Sequence, residues 1–116
     1  MRNFFIALVP ALLLLGSAAA HAHAHLDRAS PAVGSTVRTA PRQVTLSFSQ
    51  KLEPAFSSAQ VTDAAGARVD QGSRVSGMQI NVSVKPLPPG TYRVHWKVLS
   101  VDTHTTEGNF TFRVGQ

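Results

Sequence analysis

Residues Gly90–Phe112, GTYRVHWKVLSVDTHTTEGNFTF, hold the most regular pattern in the chain and decide its fold. Tyr92, Val94, Trp96 and Val98 alternate with Arg93, His95, Lys97 and Leu99, the period-two signature of a strand with one face in a core. A threonine-rich polar segment, Ser100 to Gly108, follows and is expected to be a loop or bent strand edge. Alternation resumes from Asn109 to Val114, with Phe110, Phe112 and Val114 inward. Two well-specified strands therefore brace one polar connection that carries Asp102 and His104. In extended backbone, residues two apart point the same way, so this carboxylate and this imidazole are expected to approach one metal together. The single Trp reads as core filler between two sheets that lack a disulfide. His95, on the opposite face, reads as a surface or satisfied histidine.

Working outward, the rest of the chain has the punctuation of an all-β protein. Val44, Leu46 and Phe48 alternate with Thr45, Ser47 and Ser49, and Ile80, Val82 and Val84 alternate with Asn81 and Ser83. Leu26 to Ala29 is expected as a first edge strand, closed by Ser30 and Pro31. Pro54 makes the segment from Lys51 to Phe56 a loop or short helical turn. Ala59 to Asp63 is expected as a strand, with Ala64, Ala65 and Gly66 as a hairpin turn leading to Arg68 and Val69. Pro86, Pro88 and Pro89 force a stiff crossover before the strong strand. The fold class is a single all-β, Greek-key β-sandwich of about seven strands, immunoglobulin-like or cupredoxin-like.

Composition narrows the function. A chain of 116 residues, 43% hydrophobic and 15% charged, has room for one packed domain. It has no cysteine, so disulfides, thiolate metal sites and a cysteine-linked lipid anchor are all excluded. Its 11 Lys and Arg against 6 Asp and Glu give a formal charge of +5, but the basic residues are scattered. No basic stripe with interleaved aromatics is present, so nucleic acid is not an expected partner.

The other end of the chain supplies what Asp102 and His104 lack. Arg2, the apolar run from Phe4 to Gly16 and the small residues Ser17 to Ala20 have the layout of a secretory signal, and no membrane insertion is expected after cleavage. Cuts after Ala20, Ala22 or Ala24 all leave a histidine first: His21, His23 or His25. An N-terminal histidine offers its α-amine and its ring as a chelating pair. Those two nitrogens, the His104 ring and the Asp102 carboxylate make a set that suits the tetragonal preference of Cu(II). Zinc competes for the same donors, though in a tetrahedral arrangement. Cu(I) is disfavoured, because beyond the initiator the only methionine is Met78.

The chain resembles the CopC family of exported copper-resistance β-sandwich proteins. The resemblance is carried by His23, Ala24, His25 and Leu26, then by Ser30, Pro31, Gly34, Pro41, Leu46, Phe48 and Ser49. Its most specific part is the late block of Gly90, Tyr92, Val94, Trp96, Val98, Ser100, Asp102, His104, Gly108, Phe110 and Phe112. The resemblance implies a signal peptide of residues 1–22 and a mature periplasmic domain of residues 23–116. It also implies one Cu(II) per chain, held by the amine and ring of His23, by Asp102 and by His104, with His25 as a secondary candidate. The methionine-rich Cu(I) block of some members is missing here. A CopD-type inner-membrane copper transport protein is the partner the family suggests, and a monomer is expected. Two other functions share these residues: a copper oxidase-type enzyme built on a histidine brace, and a metal-free immunoglobulin-like interaction domain.

Overall fold

The computed structural model describes residues 24–116. The expected signal peptide, with His21, and the expected ligand His23 lie outside the described residues. Eight strands form two four-stranded sheets: β1 (Leu26–Ser30), β2 (Thr36–Val37), β3 (Gln43–Phe48), β4 (Ser58–Thr62), β5 (Asp70–Ser76), β6 (Gln79–Val84), β7 (Gly90–Leu99) and β8 (Thr105–Val114). One sheet runs β1-β3-β6-β5 and the other β2-β8-β7-β4. All neighbours are antiparallel except β2, whose two residues pair in parallel with the end of β8. The result is a Greek-key β-sandwich, as the sequence pattern predicts.

The alternating residues fill the space between the sheets. Val44, Leu46, Val61, Ile80, Val82, Val94, Val98 and Phe112 are fully buried, and Phe48, Tyr92, Trp96 and Phe110 complete the core. Each large apolar side chain buried in this way contributes about 1.5–3 kcal/mol. Trp96 packs edge-on against Phe48, with ring centroids 5.1 Å apart and planes at 73°. Its cross-strand partners are Gly108 on β8 and Ala59 on β4. A Cβ at position 108 would lie 2.6 Å from Trp96 Cζ2, so only glycine leaves room for the indole. Tyr92 stacks on Phe112 at 5.6 Å, and its hydroxyl donates to the Pro88 carbonyl, tying the start of β7 to the proline crossover.

Two expectations need correction. The segment from Ser100 to Gly108 is not a loop throughout: β8 begins at Thr105, and the β7–β8 ladder runs without a break from Gly90↔Val114 to Leu99↔Thr105. Thr105 to Gly108 carry little apolar signal, but the register of β7 gives each a partner. Nor do Asp102 and His104 sit in extended backbone, as described below. The hairpin expected after β4 is present, with Thr62 bridged to Arg68, Asp63 N donating to Ala67 O at 2.9 Å and Val69 N donating to Val61 O at 2.9 Å. The chain then crosses to the other sheet as β5, whose sequence, DQGSRVS, is too polar to alternate visibly. The short helical turn expected before β4 is present as a single 3-10 turn, Pro54–Phe56.

Asp70 fixes the crossover between the sheets. Its Oδ1 accepts from the Val61 amide at 2.9 Å and from Arg68 Nε at 2.8 Å, while Oδ2 meets Arg68 Nη2 at 2.8 Å. These contacts blunt the outer edge of β4, which would otherwise offer unpaired backbone groups. The Arg68 guanidinium holds the Asp70 carboxyl below its ordinary value of 3.8, against the opposing effect of burial. A carboxyl depressed by folding stabilises the native state above its unfolded pKa, and that contribution is lost as pH falls through the folded value. Asp70→Ala, which leaves the Val61 amide without this acceptor, is expected to cost about 1–3 kcal/mol at neutral pH. The gap from wild type should narrow in thermal melts taken below about pH 4. A gap that does not change with pH would show that the carboxylate charge is not what stabilises the crossover.

Candidate metal centre

The long β7–β8 hairpin carries the candidate ligands Asp102 and His104 at its tip. The Ser100 amide donates to the His104 carbonyl at 3.0 Å, and the Thr103 amide donates to the Ser100 carbonyl at 2.8 Å. Thr103 has φ +74°, in the left-handed region. That conformation costs a β-branched residue about 1–2 kcal/mol. It turns the chain sharply between Asp102 and His104, so the two side chains meet across a turn instead of along a strand. His104 Nδ1 lies 3.4 Å from Asp102 Oδ1, and the two side chains are 45% and 41% exposed.

Ser100 sits beneath this pair with no exposed surface. Its hydroxyl donates to Asp102 Oδ1. It also lies 3.4 Å from the His104 amide and 3.2 Å from the His104 carbonyl. The Ser100 hydrogen bond, followed by the nearby His104, holds the Asp102 carboxyl below its ordinary value, so it is an ionised oxygen donor at neutral pH. From the other side, the segment after β3 braces the tip. Val101 N donates to Lys51 O at 3.0 Å, Glu53 N donates to Leu99 O at 2.8 Å, and Leu52 forms a bridge with Ser100.

The first described residues enter at this same tip. Ala24 is buried at 1% exposure, and its carbonyl accepts from Thr106 Oγ1 at 2.9 Å, two residues beyond His104. His25 is fastened by its main chain: its amide donates to Ser49 Oγ at 2.9 Å and its carbonyl accepts from the Ser49 amide at 2.9 Å. The candidate ligands thus fall into three groups. Asp102 and His104 are brought together; exposed His25 does not join them in a cluster of three metal-ligating side chains among the described residues; His23 lies outside those residues. His95 is satisfied on the outer face, with Nδ1 3.0 Å from Asn109 Oδ1 and Nε2 3.2 Å from Glu107 Oε2.

Thr106 is passed over by the motif reading, and Ser100 enters it only as a marker of the family resemblance, with no role at the site. Both continue an inward-facing alternation, after Val98 on β7 and before Phe110 on β8. A hydroxyl on a core-facing position is the signal that could have marked them, because a buried polar group needs a partner.

The structure is thus a β-sandwich with an acid and an imidazole held together at one hairpin tip, both exposed to solvent. Residues 26–115 match the CopC domain, and the chain belongs to the CopC family. It is 39% identical over 98 residues to protein YobA of Escherichia coli strain K12, covering 80% of this chain and 79% of that one. It is 35% identical over 123 residues to copper resistance protein C of Xanthomonas campestris pv. juglandis, covering 97% and 96% of the two chains. The crystal structure of CopC from Methylosinus trichosporium OB3b superposes with a TM-score of 0.76 at 33% identity, covering 80% of this chain and 94% of that one.

Proposed function

We propose that this protein is a periplasmic copper-binding protein that sequesters or carries Cu(II) without catalysing a reaction. In this reading residues 1–22 are removed on export, and one Cu(II) is bound by the amine and ring of His23, the Asp102 carboxylate and the His104 ring. The observation that carries it is the clip between Ala24 and Thr106. Consecutive Cα atoms are about 3.8 Å apart, so whatever residue precedes Ala24 starts within one peptide unit of a point fastened beside the Asp102–His104 tip. Cleavage after Ala22 would make that residue a histidine with a free amine. The kinship with a copper resistance protein selects copper over zinc from the same donors. His25 is a weaker candidate, since its amide is already committed to Ser49.

The family suggests a CopD-type membrane protein as the giver or receiver of the ion. Native mass spectrometry of the exported protein tests the proposal directly. The expected species begins at His23 and carries one copper. A protein that begins elsewhere, or that takes up no copper when offered one equivalent, would overturn it.

A further inference from the structure

We propose that Ser100 is a positioning residue of this centre: its buried hydroxyl sets both the Asp102 carboxylate and the His104 main chain in the arrangement that receives Cu(II). The inference rests on the copper reading of Asp102 and His104 and adds to it a residue that touches no metal. Four observations converge on the hydroxyl. It is fully buried, donates to Asp102 Oδ1, and lies within 3.4 Å of both main-chain polar atoms of His104. The ladder of β7 fixes its own main chain, since Leu99 is paired with Thr105 and Ser100 N is bonded to His104 O. The hydroxyl is thus anchored to the rigid end of the strand, while the groups it holds lie on the exposed turn.

The chemistry gives the anchor a purpose. Both contacts to the Asp102 carboxylate, from Ser100 Oγ and from His104 Nδ1, fall on Oδ1. Oδ2 would therefore be the oxygen left to donate to an ion. Without the hydroxyl, Asp102 could swing about χ1 into solvent, and ordering it again would oppose binding. Outer hydrogen bonds that orient ligands in this way are typically worth about 10–100-fold in metal affinity.

A double-mutant cycle on the mature protein tests the inference. Ser100→Ala keeps the main-chain bonds and removes only the hydroxyl, so the copper-free variant is expected to melt cooperatively. Its Cu(II) affinity, from competition with a chelator, is expected to fall about tenfold or more, with a shifted parallel hyperfine splitting in the Cu(II) electron paramagnetic resonance spectrum. In an Asp102→Ala background the same substitution should cost clearly less than it does in the wild type, because one of its two targets is gone and only the contacts to the His104 main chain remain. Equal losses in the two backgrounds, or an unchanged affinity and spectrum in the single variant, overturn the role of Ser100 while leaving the copper site standing. Wild-type affinity in the Asp102→Ala protein overturns the copper reading of Asp102, and the Ser100 proposal with it.

Discussion

One residue added ahead of His23 is expected to weaken Cu(II) binding by at least about a hundredfold, more than removal of an orienting hydrogen bond from an outer partner. The amine is a ligand only while it is the chain's first nitrogen; extension converts it into a peptide nitrogen that binds copper only after losing a proton. The new terminus cannot slide back into place. Ala24 is buried and clipped to Thr106, and His25 is clipped through both main-chain groups to Ser49. Chelator competition on mature and alanine-extended proteins measures the difference. Equal affinities would remove the amine from the site and return His25 and the zinc-type donor set to contention. Acid should release the ion from the unextended protein as well, because protons compete for the same lone pairs.

Trp96→Ala is expected to destabilise the domain by about 3–5 kcal/mol, a large part of the 5–15 kcal/mol by which small domains are stable. The indole lies between Phe48 of the facing sheet and the bare backbone of Gly108 on the neighbouring strand. Its two cross-strand neighbours, Gly108 and Ala59, are too small to fill the gap. Urea unfolding should show a lower midpoint with an unchanged slope. A midpoint equal to that of wild type would mean that the indole is not part of the core. The loss should fall on the scaffold more than on the ligands, since the Asp102–His104 turn is held by Ser100 and by the residue 51–53 segment.

How much of this was legible depended on where side chains face. Strands β3, β6 and β7 announce themselves because one face of each lies in the core and must be apolar. Strand β5 does not: of its seven residues only Asp70 and Val75 are even partly buried, and pairing with β6 holds it in place. The first half of β8 is hidden for a similar reason, its residues being polar and its conformation set by its partner. At the site, the residue types Asp102 and His104 were readable, but their geometry was not. A threonine in left-handed conformation leaves no mark in sequence, since most threonines avoid it. Nor does a lone Ala24 disclose that it docks into the core from the far end of the chain.

The hydrogen bond from Thr106 to Ala24 joins residues 82 apart in a chain that has no cysteine. An ion bound between His23 and His104 would close nearly the same long loop. It would act as a reversible cross-link, forbidding the unfolded chain the many conformations in which its ends drift apart, much as a disulfide does. Cargo and fastening would then be the same object. The loaded protein would resist unfolding more than the empty one, and on giving up the ion it would also give up the cross-link that joined its two ends.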